Sequence, residues 1–169
     1  IVTIMLRTID IITCQQKWAN AITTISKIYT NEEDFVTTAF DAITELYAYD
    51  YDEVLFKPTK ASDTRFRPTK DDALSYFVGD GNVEDGYSED SGFAINGGKC
   101  WKDVLFRNHK IHIVGNIAIT MGVYDFTCAT TNEVITVEYT MGYKRYDDGK
   151  VKIFLHHSSV PYSNTCQNS

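Results

Sequence analysis

The chain has 169 residues, of which 43% are apolar and 13% aromatic, and its formal net charge is -7. That length and apolar content predict a single domain with a substantial core. The acidic charge and the lack of a basic stripe exclude a nucleic-acid partner, because phosphate binding needs clustered Lys and Arg. The apolar run over residues 1–12 contains Arg7 and Asp10 and is too short for a membrane span.

Four cysteines are present, and none of them forms a close pair of the kind that binds metals. They are Cys14, Cys100, Cys128 and Cys166. A chain of this size does not need disulfide staples, so the spacing favours free or buried thiols over a disulfide framework.

The first half of the chain is predicted to be helical. Apolar residues recur at helical spacing in two stretches, Trp18-Ile22-Ile25-Ile28 and Phe35-Ala39-Ile43-Leu46. Asn31 is the predicted N-cap of the second helix, ahead of three acidic residues. Two helices joined at Thr30 and Asn31 fit this pattern.

A mixed segment follows the two helices. Val54-Leu55-Phe56 is predicted as a short strand that ends before Pro58. A third short helix is predicted from Lys70 to Val78, with Thr69 as its N-cap. Residues 79–91 are rich in Gly, Asp and Asn and are predicted to form a loop.

From Gly92 onward the residues predict a β-sheet. The runs of β-branched and aromatic residues, separated by turn signals, are 93–95, 101–114, 117–127, 134–146 and 151–159. Long strands with close-set turns predict an antiparallel meander. Helices first and strands afterwards predict an α+β fold, in which the helices pack on one face of a curved antiparallel sheet and enclose a pocket.

The last predicted strand runs into the tetrad His156-His157-Ser158-Ser159. Side chains alternate between the two faces of a strand. His157 and Ser159 should therefore share the apolar face of Ile153 and the other aliphatic residues of the strand. His156 and Ser158 should point the other way. This alternation predicts that His157 and Ser159 line the pocket.

Five blocks of sequence occur together in an order that resembles the iota-class carbonic anhydrases. The blocks are Phe56-Lys57-Pro58-Thr59, Phe66-Arg67-Pro68-Thr69, Ala73-Leu74-Ser75-Tyr76-Phe77-Val78-Gly79, Gly92-Phe93-Ala94-Ile95 and His156-His157-Ser158-Ser159-Val160-Pro161. The resemblance covers residues 18–162, with 1–17 as a linker or helix extension and 163–169 as a tail. It implies the cone-shaped, SnoaL-like fold of ketosteroid isomerase, scytalone dehydratase and the calcium/calmodulin-dependent kinase II association domain.

The resemblance implies the reversible hydration of CO2 to bicarbonate and a proton. Some members of the class prefer manganese, and others work without metal and bind bicarbonate through Thr, Tyr and Ser hydroxyls. Ser159 is the best match to the Ser, Tyr76 to the Tyr and Thr59 to the Thr. Thr69 and Tyr87 have similar spacing and are the fallback pair.

The residues themselves favour a site without metal. Catalytic zinc needs three protein ligands, and adjacent histidines on a strand, such as His156 and His157, face opposite ways. His109 and His112 lie on opposite faces for the same reason. A zinc or manganese cofactor is therefore less favoured than none. His157 is the predicted proton acceptor, because an imidazole titrates near neutral pH.

Two other function classes stay open. A non-catalytic association domain would use the same fold to assemble oligomers. An isomerase or dehydratase of the fold would need a carboxylate in the pocket, and the candidates are Asp63, Asp103 and Asp125.

The resemblance also carries expectations about partners and location. It implies a homodimer, or contact with neighbouring repeats of the same chain, because algal members occur as tandem repeats. A sequence that starts without Met fits a piece of such a protein. The expected compartment is the plastid of an alga or another compartment on the secretory route.

Overall fold

The computed structural model describes residues 5–164. The helices are α1 (Thr8–Thr30), α2 (Phe35–Leu46) and α3 (Lys70–Val78). The strands are β1 (Leu55–Lys57), β2 (Trp101–Val114), β3 (Ile117–Cys128), β4 (Val134–Arg145) and β5 (Val151–Ser159). Short 3-10 turns cover Asp80–Asn82 and Phe93–Gly98. The predicted α+β class, with helices before strands, is confirmed.

The five strands form one sheet in the order β1-β5-β4-β3-β2. Strands β2 to β5 are antiparallel neighbours in chain order, so the predicted meander is confirmed. Strand β1 was not predicted to pair with them, and it lies parallel to β5, with Phe56 opposite His156. This pairing brings the loop after β1 beside the end of β5.

The core lies between the helices and one face of the sheet. Helix α1 buries a residue at nearly every third or fourth position, including Ile11, Trp18, Ile22 and Ile25. Each aliphatic side chain of this kind contributes about 1.5–3 kcal/mol by leaving water. The Trp18 indole packs against rings from several elements, so α1 is held against both α3 and the sheet.

The predicted N-cap of α3 is confirmed, and that of α2 is not. Thr69 accepts a hydrogen bond from the backbone N–H of Asp72, and the Asp72 side chain accepts from the Thr69 backbone. This capping box confirms the predicted start of α3. The predicted N-cap of α2 is wrong: Asn31 ends α1, and Asp34 accepts from the Thr37 backbone at 3.0 Å.

Residues 93–95 were predicted as a strand and instead form part of a buried 3-10 turn. Gly92 and Asn96 have φ of 90° and 50°, so the chain reverses at both ends of the segment. The Ser26 hydroxyl donates to the carbonyl of Ala94 at 2.6 Å, and the Trp101 indole donates to that of Phe93 at 2.6 Å. These side chains satisfy carbonyls that a sheet would otherwise satisfy.

The cysteines within residues 5–164 are free and buried, which agrees with the predicted thiols. Cys166 lies outside the described residues. In the described part of the chain, no helix combines the length and apolar character that crossing a bilayer requires. Helix α1 runs without a break past residue 17, and the domain boundary at residue 18 stays a prediction.

Candidate active site

A small cavity lies between α1, α3 and the inner face of the sheet. Its volume is about 10 Å3, close to the minimum that holds one water molecule. Its lining residues are Trp18, Phe56, Pro58, Thr59, Tyr76, Phe77, Phe93, Tyr124, His156 and Ser158. The wall therefore combines aromatic rings with hydroxyl groups and one imidazole.

Larger hollows lie outside this cavity, and one of them adjoins it. A pocket of about 190 Å3 shares Tyr76 and Phe93 with it and contains the exposed Lys60 and Lys99. The Tyr76 and Phe93 rings stack with centroids 5.5 Å apart and form part of the wall of both spaces. The largest cleft, about 950 Å3, lies against α1, α2 and β5 and shares no lining residue with the cavity.

The structure reverses the predicted orientation of the tetrad at the end of β5. His156 and Ser158 are each 2% exposed and line the cavity. His157 is exposed and Ser159 is half-buried, and neither lines the cavity. The prediction that His157 and Ser159 face the pocket is wrong.

A β-bulge causes the reversal. Ile153 pairs with Tyr143 and Leu155 pairs with Gly142, which leaves Phe154 as an extra residue in β5. One extra residue reverses the alternation of faces for everything that follows it. Gly142 makes room for the bulge, because a Cβ there would lie 2.9 Å from the Phe154 ring.

His156 is the centre of a buried hydrogen-bond cluster. Its Nδ1 lies 2.7 Å from the Tyr47 hydroxyl, which also accepts the Trp18 indole N–H at 3.0 Å. Its Nε2 lies 3.0 Å from the Tyr124 hydroxyl and 3.1 Å from Ser158 Oγ. The Tyr124 and Ser158 hydroxyls also bond to each other. Both ring nitrogens are therefore occupied.

Burial keeps the His156 imidazole neutral. Loss of solvation lowers its pKa to about 3, and the nearby charge of His157 acts in the same direction. The ring stacks on Phe56, with centroids 4.9 Å apart and planes at 11°. At neutral pH His156 is thus a hydrogen-bond donor at one nitrogen and an acceptor at the other.

Thr59 and Tyr76 approach the cavity from other elements. Thr59 follows β1, and Tyr76 lies on α3. The Tyr76 hydroxyl accepts the backbone N–H of Lys60 at 3.3 Å. Burial raises the pKa of Tyr76 above its usual value, although hydrogen bonds from Lys60 and Thr59 oppose the rise. The phenol stays protonated and able to donate.

The fallback pair lies elsewhere. Thr69 caps α3, and the Tyr87 hydroxyl donates to Asp72 Oδ1 at 2.6 Å. Neither side chain lines the cavity. Of the two predicted Thr and Tyr pairs, the structure brings only Thr59 and Tyr76 to it.

Residues 9–160 match the family model described as metal-independent carbonic anhydrase. The chain belongs to this family.

Two relatives support the assignment. The metal-independent carbonic anhydrase of Nostoc sp. is 37% identical over 156 residues, which cover 90% of this chain and 73% of that protein. The crystal structure of a cyanobacterial iota-carbonic anhydrase in complex with bicarbonate has a TM-score of 0.88 and 34% identity. It covers 97% of this chain and 98% of that one.

More distant structures share the fold alone. An NTF2-like protein from Cytophaga hutchinsonii has a TM-score of 0.56 at 14% identity, over 92% of this chain and all of that one. This likeness and the match to the iota-carbonic anhydrase confirm the predicted cone-shaped fold of helices on a curved sheet.

Family membership confirms the predicted iota-class carbonic anhydrase and its enzyme class. The association domain is not favoured. An isomerase or dehydratase is not favoured either, since none of the candidates Asp63, Asp103 and Asp125 lines the cavity. Asp125 bonds instead to Arg107 and Thr136. Within residues 5–164, no three His, Cys, Asp or Glu side chains are grouped to hold a metal ion.

Sequence reasoning missed Tyr124 and Tyr47 as members of the site. Tyr124 is 1% exposed and directly precedes Asp125, one of the three candidate carboxylates. The alternation Tyr124-Asp125-Phe126 already indicates that the two rings share one face and the carboxylate the other. Tyr47 ends α2 and has no signal of this kind in its neighbourhood.

Acid should destabilise the protein through His156. The folded state holds the imidazole neutral down to about pH 3, whereas the unfolded chain binds a proton below about pH 6.5. Unfolding therefore takes up a proton in this window, and stability falls as the pH drops from about 6.5 towards 3. We expect a loss of roughly 1 kcal/mol per pH unit between pH 6 and 5, measured by urea unfolding.

The histidine pair supplies the control for this expectation. His156→Gln should remove the slope, and His157→Gln should keep it. A slope that survives unchanged in His156→Gln would mean that other groups, and not His156, cause the loss of stability in acid.

Proposed function

We propose that the chain hydrates CO2 reversibly to bicarbonate and a proton in the cavity between α1, α3 and the sheet, without a metal cofactor. The observation that carries this proposal is the cluster of Tyr124, Ser158 and a neutral His156 in an aromatic wall. Aromatic rings suit the uncharged CO2, and hydroxyl donors suit the negative charge that develops as it reacts.

The polar side chains divide the work of holding the reactants. The Ser158 and Tyr124 pair donates one hydroxyl hydrogen towards an oxygen of CO2, where charge builds as the water attacks carbon. Thr59 and Tyr76 lie in another part of the cavity wall and orient the attacking water. Holding CO2 and water in this geometry replaces a bimolecular encounter by a reaction between two positioned molecules. This removes a large part of the activation free energy.

The proton follows a hydroxyl relay, because no group that lines the cavity has a pKa near 7. The pKa of His156 is about 3, and burial raises the pKa values of Tyr76 and Tyr124. As the water oxygen bonds to carbon, a hydroxyl of the Tyr124 and Ser158 pair takes the water proton and gives its own to a CO2 oxygen. The product of this step is carbonic acid, which ionises to bicarbonate and a proton in solution.

Substrate and product pass through the pocket that contains Lys60 and Lys99. The cavity holds about one water molecule, so CO2 needs space that a shift of the Tyr76 and Phe93 rings provides. These two rings form part of the wall of both the cavity and the pocket. Lys60 and Lys99 offer positive charge to departing bicarbonate, because the Glu89 and Asp90 carboxylates that line the same pocket are both paired with Arg67.

The outer face of the sheet supports a homodimer. Leu105 and Met121 are 55% and 56% exposed there, and Val123 and His157 point to the same side. Apolar residues on an open sheet face are suited to a second copy of the chain. Leu105→Glu should shift the protein to monomer in sedimentation velocity, and no change of mass would contradict this interface.

The tandem repeats and the plastid location that the resemblance implies stay predictions.

Stopped-flow CO2 hydration with and without a metal chelator tests the activity. We expect the same catalysed rate in both conditions. Loss of activity with the chelator would contradict the metal-free proposal, and restoration by Mn2+ or Zn2+ would identify the cofactor. Absence of activity in both conditions, with a folded and assembled protein, would favour an association domain.

A further inference from the structure

We propose that Tyr47 is a positioning residue that fixes the tautomer of His156, so that the Tyr124 and Ser158 pair presents a hydroxyl hydrogen to the reacting oxygen. This inference rests on the proposed function, which puts CO2 hydration at that pair. Tyr47 itself is 1% exposed and does not line the cavity. It acts through His156 and not on the substrate.

The direction of the hydrogen bonds starts at Trp18. An indole N–H can only donate, and it donates to the Tyr47 oxygen at 3.0 Å. Tyr47 has one hydrogen of its own, and among residues 5–164 the acceptor in contact with it is His156 Nδ1 at 2.7 Å. Nδ1 therefore accepts, and in the neutral ring the proton sits on Nε2.

The opposite tautomer leaves a buried hydrogen without a partner. If Nδ1 carried the proton, the Tyr47 oxygen would accept from both Trp18 and His156. Its own hydrogen would then be buried with no acceptor within the described residues, whereas the hydrogen that the Nε2–H form leaves unpaired belongs to Tyr124 or Ser158, which line the cavity. An unsatisfied buried donor is unfavourable, and this difference favours the Nε2–H form by about fivefold to 100-fold.

The Nε2–H form leaves one hydroxyl hydrogen for the cavity. Nε2–H donates to the Tyr124 or the Ser158 oxygen, at 3.0 and 3.1 Å. The two hydroxyls share one bond, which uses one of their two hydrogens. The second hydrogen finds no acceptor within the cluster and points to the reactants. The series of hydrogen bonds from Trp18 through Tyr47 to His156 begins at an indole and therefore cannot carry a proton out of the protein. Its effect is to orient the hydroxyl that donates to the reactants.

Nitrogen-15 NMR of histidine-labelled protein tests the tautomer in the wild-type enzyme. His156→Gln identifies the His156 signals among the four histidines of the chain. We expect a bare Nδ1 and a protonated Nε2 at pH 7, and a scalar coupling between the Tyr47 hydroxyl proton and Nδ1. A protonated Nδ1 would overturn the inference. So would a Tyr47 hydroxyl that does not couple to His156, and neither result depends on the folding of a Tyr47 variant.

Tyr47→Phe tests the consequence for catalysis. We expect kcat for CO2 hydration to fall about tenfold, with KM changed by less than about threefold, because the lost orientation affects the charged transition state and not the binding of uncharged CO2. The Nε2–H signal should give way to a mixture of tautomers. Unchanged kcat in this variant would overturn the inference.

Tyr143→Phe is the matched control. Tyr143 is fully buried in the same core, and its hydroxyl donates to Met141 Sδ at 3.5 Å instead of His156. Its kcat and the His156 tautomer should stay those of the wild type. An equal loss of kcat in both variants would reduce Tyr47 to a packing residue. A wild-type protein without CO2 hydration would defeat the proposed function, and the NMR result would still report on the tautomer.

Discussion

Replacing Ser158 by alanine is expected to lower kcat/KM for CO2 hydration about 100-fold, whereas Ser159→Ala should change it less than about twofold. Ser158 is 2% exposed and bonds to both Tyr124 and His156, while its neighbour points to the outer face of the sheet. Loss of one donor that stabilises developing charge typically lowers the rate by about 10²–10³. Stopped-flow hydration of CO2 measures both variants.

The two serine variants form a matched pair, because the same atom is removed at neighbouring positions of one strand. Far-ultraviolet circular dichroism and thermal unfolding establish that both are folded. A larger loss in Ser159→Ala would contradict the orientation that the bulge in β5 imposes. Wild-type rates in both variants would move the reaction out of this cavity.

The serine pair also shows what strand periodicity could not predict. The sequence of β5 predicts a strand from Val151 to Ser159, and those bounds are correct. The predicted faces of its side chains are wrong, because the bulge at Phe154 depends on Gly142 in the neighbouring strand. Ser159 was predicted to face the pocket, and Ser158 to face away, because side chains alternate between the two faces of a strand that has no bulge. A bulge is a property of two paired strands, and the pattern of one strand does not contain it.

Features that depend on residues close together in the sequence were predicted better than features that depend on distant residues. The start of α3 follows from Thr69 and Asp72, which bond to each other within one turn. The parallel pairing of β1 with β5 joins residues about a hundred positions apart and has no local signature. Thr59 could be matched only through the resemblance of its Lys-Pro-Thr block, and its place in the wall of the cavity depends on that pairing.

A buried ion pair holds the helix that carries Tyr76. Arg67 is fully buried and bonds to both carboxylate oxygens of Asp90, at 2.6 and 2.8 Å. The Ser75 hydroxyl donates to the same carboxylate at 2.7 Å, and Arg67 also donates to the Asp72 carbonyl. The pair thus ties the start and the middle of α3 to the loop before the 3-10 turn, and Tyr76 directly follows Ser75.

Arg67→Met is therefore expected to lower the free energy of unfolding by about 3–5 kcal/mol, because it leaves the Asp90 carboxylate buried without its cation. Urea unfolding measures the loss. The double variant Arg67→Met/Asp90→Leu should recover at least half of it, since an apolar pair needs no partner charge. Lys17→Met is the control: its ion pair with Glu45 joins two helix surfaces, with Lys17 59% and Glu45 67% exposed, and should contribute less than about 1 kcal/mol. Equal losses in Arg67→Met and Lys17→Met would mean that the buried pair does not anchor α3, and the position of Tyr76 would then depend on the packing of its ring against Phe56 and Phe93.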